Sequence, residues 1–428
     1  MSEPDPSPPR ATNAPTPGAA ERQPGYAWVV MAMLWGMDLA NVMIFASVGV
    51  LLPVWEEDLG VTPLQAGLLG AAGFMGFGLM ALPASIWLTM YNPRLVTLVC
   101  ALAMAGVGVA QAVAPNVHLL IAFRFTFVLL AVSRIQMQVI FIQQWFQPRL
   151  YATVNSLDFS NRSIGQTIGI AAIPALAVLL GSWRIVYASI ALALLFVAVL
   201  WAFLGRERRR SYGEWGPPTQ VGNPAGVLRR HKVLWVLAGC QIGAAMAFGS
   251  MLTFFPTYAI EHLDISITSA GFLMGVFSVG AILGSLSSGP ISQAIGRRKP
   301  FIWIPGLLLP LAYFAVLRVD VMPLVVLLLL LAGACAMAVP PMLTTIPLDM
   351  GLAPREVAVA VGLTRTFFPL SAALGPLLVG LLQESTGSLL LGLSIVAPLP
   401  ITLFIGGYIL PETGPAGNTR RREPGQTM

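Results

Sequence analysis

Six ionisable residues stand inside long apolar runs of this chain: Asp38, Arg124, Arg134, Asp158, Arg162 and Arg365. A charge in apolar surroundings is costly, and chains keep one there for an internal ion pair, a proton site or a charged ligand. An aspartate can take up and release a proton. An arginine offers a planar fork of donors that matches a carboxylate with two hydrogen bonds. Asp158 and Arg162 are four residues apart, so on a helix they share a face and can pair, as an ion pair at a gate. Arg134 and Arg365 have no acid within a turn of their own helix. They are expected either to bind substrate or to pair with an acid on another helix. Asp38 is expected either to be a proton-coupling site or to partner a neighbouring arginine. Arginines outnumber aspartates in this set, and that excess favours an anion over a cation as ligand.

Other chemistry finds little support. Cys100, Cys240 and Cys335 lie in separate apolar runs with no CxxC or Cys/His spacing, so neither a metal cluster nor a disulfide framework is expected. The apolar runs contain no histidine, and no nucleophile–base pair is visible. Gly73-x-x-Gly76 lies within an apolar run and is not a nucleotide loop, and no GxxxxGK[ST] occurs. No enzyme activity, cofactor or resident metal is expected.

The elements that position these charges follow from composition. Of 428 residues, 56% are hydrophobic and 10% are charged, whereas a soluble domain carries about 25% charged residues. Breakers divide the chain into apolar runs at 27–54, 64–90, 95–114, 119–141, 155–179, 184–205, 233–259, 268–290, 301–317, 322–343, 357–382 and 388–410. Each is long enough to cross a bilayer, which takes about 20 residues. Each is predicted to be a helix, because an isolated strand cannot satisfy its backbone in lipid. The alternation of an outer-membrane barrel is absent. At 1.5 Å per residue, Asp38 lies roughly 16 Å from the start of its span, and Arg134, Arg162 and Arg365 lie roughly 10 to 12 Å in.

Basic residues orient the spans. With the N-terminus in the cytoplasm, the cytoplasmic segments hold Arg94, Arg149, the Arg206–Arg210 cluster, Arg229, Arg230, Lys232, Arg297, Arg298, Lys299, Arg355 and Arg420–Arg422, while the outer loops hold Arg184 and Arg318. The net charge of +6 is thus a topology signal and not a sign of nucleic-acid binding. The organisation expected is a disordered cytoplasmic tail (1–25), a six-helix bundle (26–205), a cytoplasmic linker (206–232), a second six-helix bundle (233–410) and a cytoplasmic tail (411–428). The Pro-rich start lacks the basic head and short apolar core of a signal peptide. The halves echo each other at a slowly drifting offset. Pro53 matches Pro256, Ala66-Gly67 matches Ala270-Gly271, Gly76 matches Gly280, Arg94 matches Arg298, and Gly181-Ser182 matches Gly387-Ser388. In this register Asp38 falls on Gln241, a second polar residue expected to contact substrate. The fold class implied is an all-α membrane protein of twelve transmembrane helices in two parallel six-helix repeats, with the site between them near the midplane.

The chain resembles the major facilitator superfamily from about Tyr26 to Thr413. The strongest marker is the loop from Gly289 through Gln293, Gly296, Arg297 and Arg298 to Lys299, which is similar to that family's Gly-x-x-x-Asp-x-x-Gly-Arg-Arg motif with Gln293 in place of the aspartate. The first-half copy, Ser85 to Arg94, keeps only its last basic residue. Arg124-Phe125 resembles the span-4 arginine motif, Gly165-x-x-x-Gly169 half of the glycine-rich motif, and Pro411-Glu412-Thr413-Gly414 an end motif of several branches. The resemblance implies alternating access, with spans 1, 4, 7 and 10 lining the cavity and 2, 5, 8 and 11 flanking it. It also implies a latching role for the 289–299 loop and a structural or coupling role for Arg124. Length, the tail leading into Tyr26-Ala-Trp-Val-Val and the eroded first latch are also similar to the magnetosome-associated permeases of magnetic bacteria.

The function expected is secondary active transport of a small anionic solute across a bacterial inner membrane, with proton coupling through Asp38. The partners expected are a small-molecule or ion substrate and the bilayer, for a chain acting as a monomer or an oligomer. One alternative is an iron or anionic iron-chelate permease of the magnetosome membrane that contributes to magnetite biomineralization. Another is a membrane receptor or scaffold that transports nothing.

Overall fold

A computed structural model describes residues 25–87, 91–146, 150–207, 226, 229–350 and 354–413. The expectations placed on the two tails and on most of the central linker fall outside these residues. In chain order the helices are α1 (Tyr26–Ala46), α2 (Val48–Leu59), α3 (Pro63–Trp87), α4 (Pro93–Ala112), α5 (Val117–Trp145), α6 (Tyr151–Leu179), α7 (Trp183–Leu204), α8 (Val233–Cys240), α9 (Ile242–Leu263), α10 (Ile267–Ile295), α11 (Pro300–Val316), α12 (Met322–Asp349), α13 (Pro354–Thr386), α14 (Leu389–Val396) and α15 (Ile401–Ile409).

Each predicted apolar run is helical over most of its described residues. Among the described residues eleven stretches are long and apolar enough to cross a membrane, and the shorter α11, with 17 residues, supplies the twelfth. Three spans differ from the expectation of one helix each. Span 1 breaks at Ser47, whose hydroxyl donates to the Ile44 carbonyl. Span 7 breaks at Gln241. Span 12 breaks at residues 397–400, where Pro398 and Pro400 each lack the N–H that a continuing helix needs.

The helices run between two faces. The described chain begins and ends at one, here the terminal face. The loops at 60–62, 264–266 and 387–388 lie at the other, the distal face. The two halves repeat small structural devices as well as helix order. Gly181 and Gly387 both adopt a left-handed φ, 70° and 71°. The serine after each then caps the next helix, Ser182 accepting from the Arg184 N–H and Ser388 from the Leu391 N–H. At the terminal face Glu207 accepts the Arg94 N–H at 2.9 Å, and Glu412 accepts the Arg298 N–H at 2.7 Å. In each half, then, a carboxylate beyond the last span seats on the amino end of the third, where backbone donors and the helix dipole favour an anion. Within the end motif noted in the sequence, Glu412 is the residue that does this.

The halves meet closely toward the distal face. An added methyl at Gly49 of α2 would overlap the Leu252 carbonyl of α9. One at Gly67 of α3 would stand 2.5 Å from the Pro376 carbonyl of α13. The α3–α13 contact runs down to Gly78, which lies against the Leu370 side chain. Burial here comes from backbones that approach closely because side chains are missing, the usual means of helix association in lipid.

Candidate functional site

Three helices of the first half place four of the six intramembrane charges in one cluster. Asp38 (α1) and Arg134 (α5) are fully buried and form an ion pair and a hydrogen bond through Oδ1 and Nη2. Arg134 Nη1 donates to Gln138 Oε1 at 3.4 Å, and Gln138 Nε2 donates to Asp158 Oδ1. Asp158 and Arg162 (both α6) pair at 3.1 Å, and the same Arg162 Nη2 lies 3.5 Å from Asp38 Oδ2. The five side chains close a ring in which two carboxylates cancel two guanidiniums. Its exposed edge is Arg162, whose side chain is 27% accessible against 0% for Asp38 and Arg134. Among the described residues Arg134 Nε and Arg162 Nε have no hydrogen-bond partner, so the ring retains unused donors. A ring of this kind is all-or-none: removing one member leaves a buried charge uncompensated, at a cost of about 3–5 kcal/mol.

Gln138 was not singled out in the sequence, although its spacing from Arg134 is the i,i+4 relation that paired Asp158 with Arg162. The Asp38–Arg134 contact joins helices far apart in the chain, and no spacing could show it.

Arg124 stands apart from the ring. It is buried, and its donors reach three carbonyls: Nε to Leu69 at 3.0 Å, Nη1 to Ile44 at 3.2 Å and Nη2 to Phe45 at 2.9 Å. The Ile44 and Phe45 carbonyls lie in the last turn of α1, where the break at Ser47 interrupts the helical ladder. Arg124 thus closes the broken end of one helix and ties it to α3.

In the second half, Gln241 is buried and donates through Nε2 to the Thr364 carbonyl at 3.0 Å, linking the break in span 7 to α13. Arg365, the next residue, is exposed. Among the described residues no carboxylate pairs with it. Ala372 and Pro376 lie seven and eleven residues on, so they share its helical face to within about 20°. Those two positions press against Gly249 and Gly67 and are closed off. That face is packed toward the distal side, whereas Arg365, two turns nearer the terminal face, is exposed. Of the four intramembrane arginines, it alone has neither a carboxylate nor a carbonyl as partner among the described residues.

Two cavities lie beside Phe248, the first of them also lined by Phe368 of α13. One is bounded by Gln241, Phe248, Met337 and Phe368. The other lies between the halves, with Ser163 and Gln166 from α6 facing Phe248, Phe277 and Met337.

The 289–299 loop adopts the turn its glycine implies. Gly296 ends α10 with φ 70°, its N–H bonded to the Gln293 carbonyl. Arg298 Nε pairs with Asp349 at the end of α12 at 3.1 Å and donates through Nη1 to Ser292 at 3.0 Å. Arg297 and the Gln293 side chain are exposed, and Gly289 is half-buried. The loop is thus tied to its own half. Asp349 was missed in the sequence because span 10 was predicted to end at 343, six residues before the helix does.

The described residues contain no group of three or more His, Cys, Asp or Glu able to hold a metal ion.

Comparison with known proteins agrees with the architecture. Over 272 residues the chain is 23% identical to the uncharacterized transporter YybO of Bacillus subtilis, covering 60% of this chain and 62% of that one. Over 218 residues it is 28% identical to the human MFS-type transporter SLC18B1, covering 48% and 46%. The chain therefore spans less than two thirds of the length of these curated relatives. The fold is similar to that of a bacterial homolog of the human lysosomal transporter Spinster, in an inward-facing and unoccupied conformation, with a TM-score of 0.73, 16% identity and coverage of 90% and 95%. It is equally similar to the nucleoside transporter NupG, with a TM-score of 0.73, 13% identity and coverage of 90% and 99%. The family profile described as Major Facilitator Superfamily matches residues 34–376 and 237–427. With both halves matched and the two six-helix repeats in place, the chain belongs to the Major Facilitator Superfamily.

Proposed function

We propose that this protein is a secondary transporter for a small organic anion, working by alternating access and coupled to protons. The observation that carries the reading is Arg365, an exposed cation on α13 with which no described carboxylate pairs. A guanidinium there matches a carboxylate in charge and in plane. Arg134 and Arg162 are neutralised by Asp38 and Asp158, and Arg124 is occupied by carbonyls, so one arginine is left to hold the solute.

The ring supplies the coupling. Protonating Asp38 removes the carboxylate shared by Arg134 and Arg162, and the partly exposed Arg162 then becomes a second anion contact. Proton and anion bound in this way favour each other, which is the condition for symport. The basic bias of the terminal-face segments supports a cytoplasmic terminal face in a bacterial inner membrane. The conformation described is then open inward and closed outward.

The test is a thermal-shift screen of the purified protein against organic anions, phosphate, cationic drugs and anionic iron chelates, followed by counterflow in proteoliposomes with whatever stabilises it. Stabilisation by anions that Arg365→Gln abolishes is the expected result. Stabilisation by cations alone would overturn the reading. A hit confined to the iron chelates would favour the iron-permease alternative within the same charge class.

A further inference from the structure

We infer that the transported anion carries one charge and an apolar, ring-sized body, which lies on a wall made by Phe248 and Met337. This rests on the anion reading of Arg365 above and adds to it the nature of the rest of the solute.

Phe248 and Met337 line both cavities and so form the surface common to them. Around Phe248 the rings are continuous. Its centroid lies 6.0 Å from that of Phe277 and 5.9 Å from that of Phe368, in tilted arrangements, and 6.4 Å from Phe74, edge-on. Phe368 is one turn from Arg365 on α13, so the charged end and the ring wall meet at a single helix. Tilted and edge-on rings offer both faces and edges to an aromatic guest, and the Met337 thioether adapts to its outline.

The polar groups present are few and largely engaged. Gln241 Nε2 is bound to the Thr364 carbonyl, and the Ser278 hydroxyl donates to the Met274 carbonyl at 3.1 Å. With one free cation among the described residues and an apolar wall, a bare phosphate or a small dicarboxylate would leave its second charge unmatched. A monocarboxylate with a ring satisfies both parts of the site. The second cavity is lined from both halves, with Gln166 on one side and Phe248 on the other. A body held there touches the two units whose movement alternating access requires.

The test uses the full chain in proteoliposomes with three probes: benzoate, acetate and benzamide. The expected result is competition and counterflow by benzoate at roughly tenfold or more lower concentration than acetate, the factor that burial of about a ring's apolar surface provides, and none by benzamide. Phe248→Ala is expected to reduce the benzoate-to-acetate ratio toward one without abolishing acetate recognition, and Arg365→Gln to weaken both roughly ten- to a hundredfold. Met337→Ala, scored by the same ratio, serves if Phe248→Ala does not fold. Acetate matching benzoate in the native protein would overturn the ring-sized body while leaving the anion reading intact. Benzamide matching benzoate would overturn the anion reading itself. Failure of benzoate and acetate alike would overturn both.

Discussion

Glu384, near the end of α13 in the second half, accepts the backbone N–H of Leu64 at the start of α3 in the first half, at 3.0 Å. The bond crosses the distal seam and places a carboxylate on a helix amino terminus. Such an interaction contributes about 0.5–2 kcal/mol, and it exists only while the seam is closed. Glu384→Ala is expected to shift the population toward distal-open states by a few-fold to tenfold or more. Distance distributions between spin labels at Glu57→Cys and Thr268→Cys, both exposed, would report it. An unchanged distribution would mean that the bond does not contribute to closure.

A second distal carboxylate makes the seam sensitive to pH. Glu56 lies beyond the apolar stretch of span 1, and its carboxyl is pushed up to about 7, first by burial and then by the charge of Glu261. Asp58 on the same helix is already paired, with Arg184 at 2.7 Å. The closed seam holds the Glu56 proton more tightly than an opened, solvated one would. Closure is therefore favoured most below the ordinary carboxylate value of 4.5, weakens as pH rises from there to about 7, and changes no further above it. Glu56→Gln should flatten that dependence, and the same label pair read between pH 5 and 8 would show whether it does.

Asp38→Asn leaves Arg134 and Arg162 facing one carboxylate in place of two. We expect a loss of stability of about 3–5 kcal/mol, partly recovered in the double variant with Arg134→Gln, as a double-mutant cycle would measure. In vesicles, substrate exchange should continue while uptake driven by a proton gradient stops. Gradient-driven accumulation at the native level would remove Asp38 from the coupling role.

Arg365→Gln should raise the apparent KM roughly ten- to a hundredfold, as expected for one lost charge-assisted hydrogen bond, with folding in detergent unchanged because no described carboxylate pairs with this residue. Arg365→Lys should recover little, since a point charge replaces a planar fork.

The orientation can be checked directly. An alkaline phosphatase fusion after Glu57 is expected to be active, and one after Gly222 inactive. The opposite pattern would reverse the membrane sidedness and, with it, the direction in which the cavity opens.

The fold was largely legible in the sequence because twelve apolar runs and a drifting repeat are local signals, and helices in lipid have few alternatives. The charges could be found for the same reason: any ionisable residue in an apolar run stands out. What they pair with could not be read. Asp38 meets Arg134 across 96 positions of chain, and only the packing of α1 on α5 brings them together. The i,i+4 relation of Asp158 to Arg162 was visible, yet their place in a larger ring through Gln138 was not. Arg365 looked equivalent to Arg134 in sequence. The structure separates them, one enclosed by partners and the other standing open. Phe248 and Met337 were hidden for the opposite reason, since an apolar residue in an apolar span carries no mark of the cavity it faces.

At Gly49 against Leu252, and at Gly67 against Pro376, the two halves touch backbone to backbone. No side chain has to change rotamer for the surfaces to separate, and none has to find its slot again when they return. The seam can part and re-form in the same register without the frictional cost of repacking a knobbed interface. A surface that the proposed alternating access would break once in every cycle is built, at these points, so that breaking it disorders nothing.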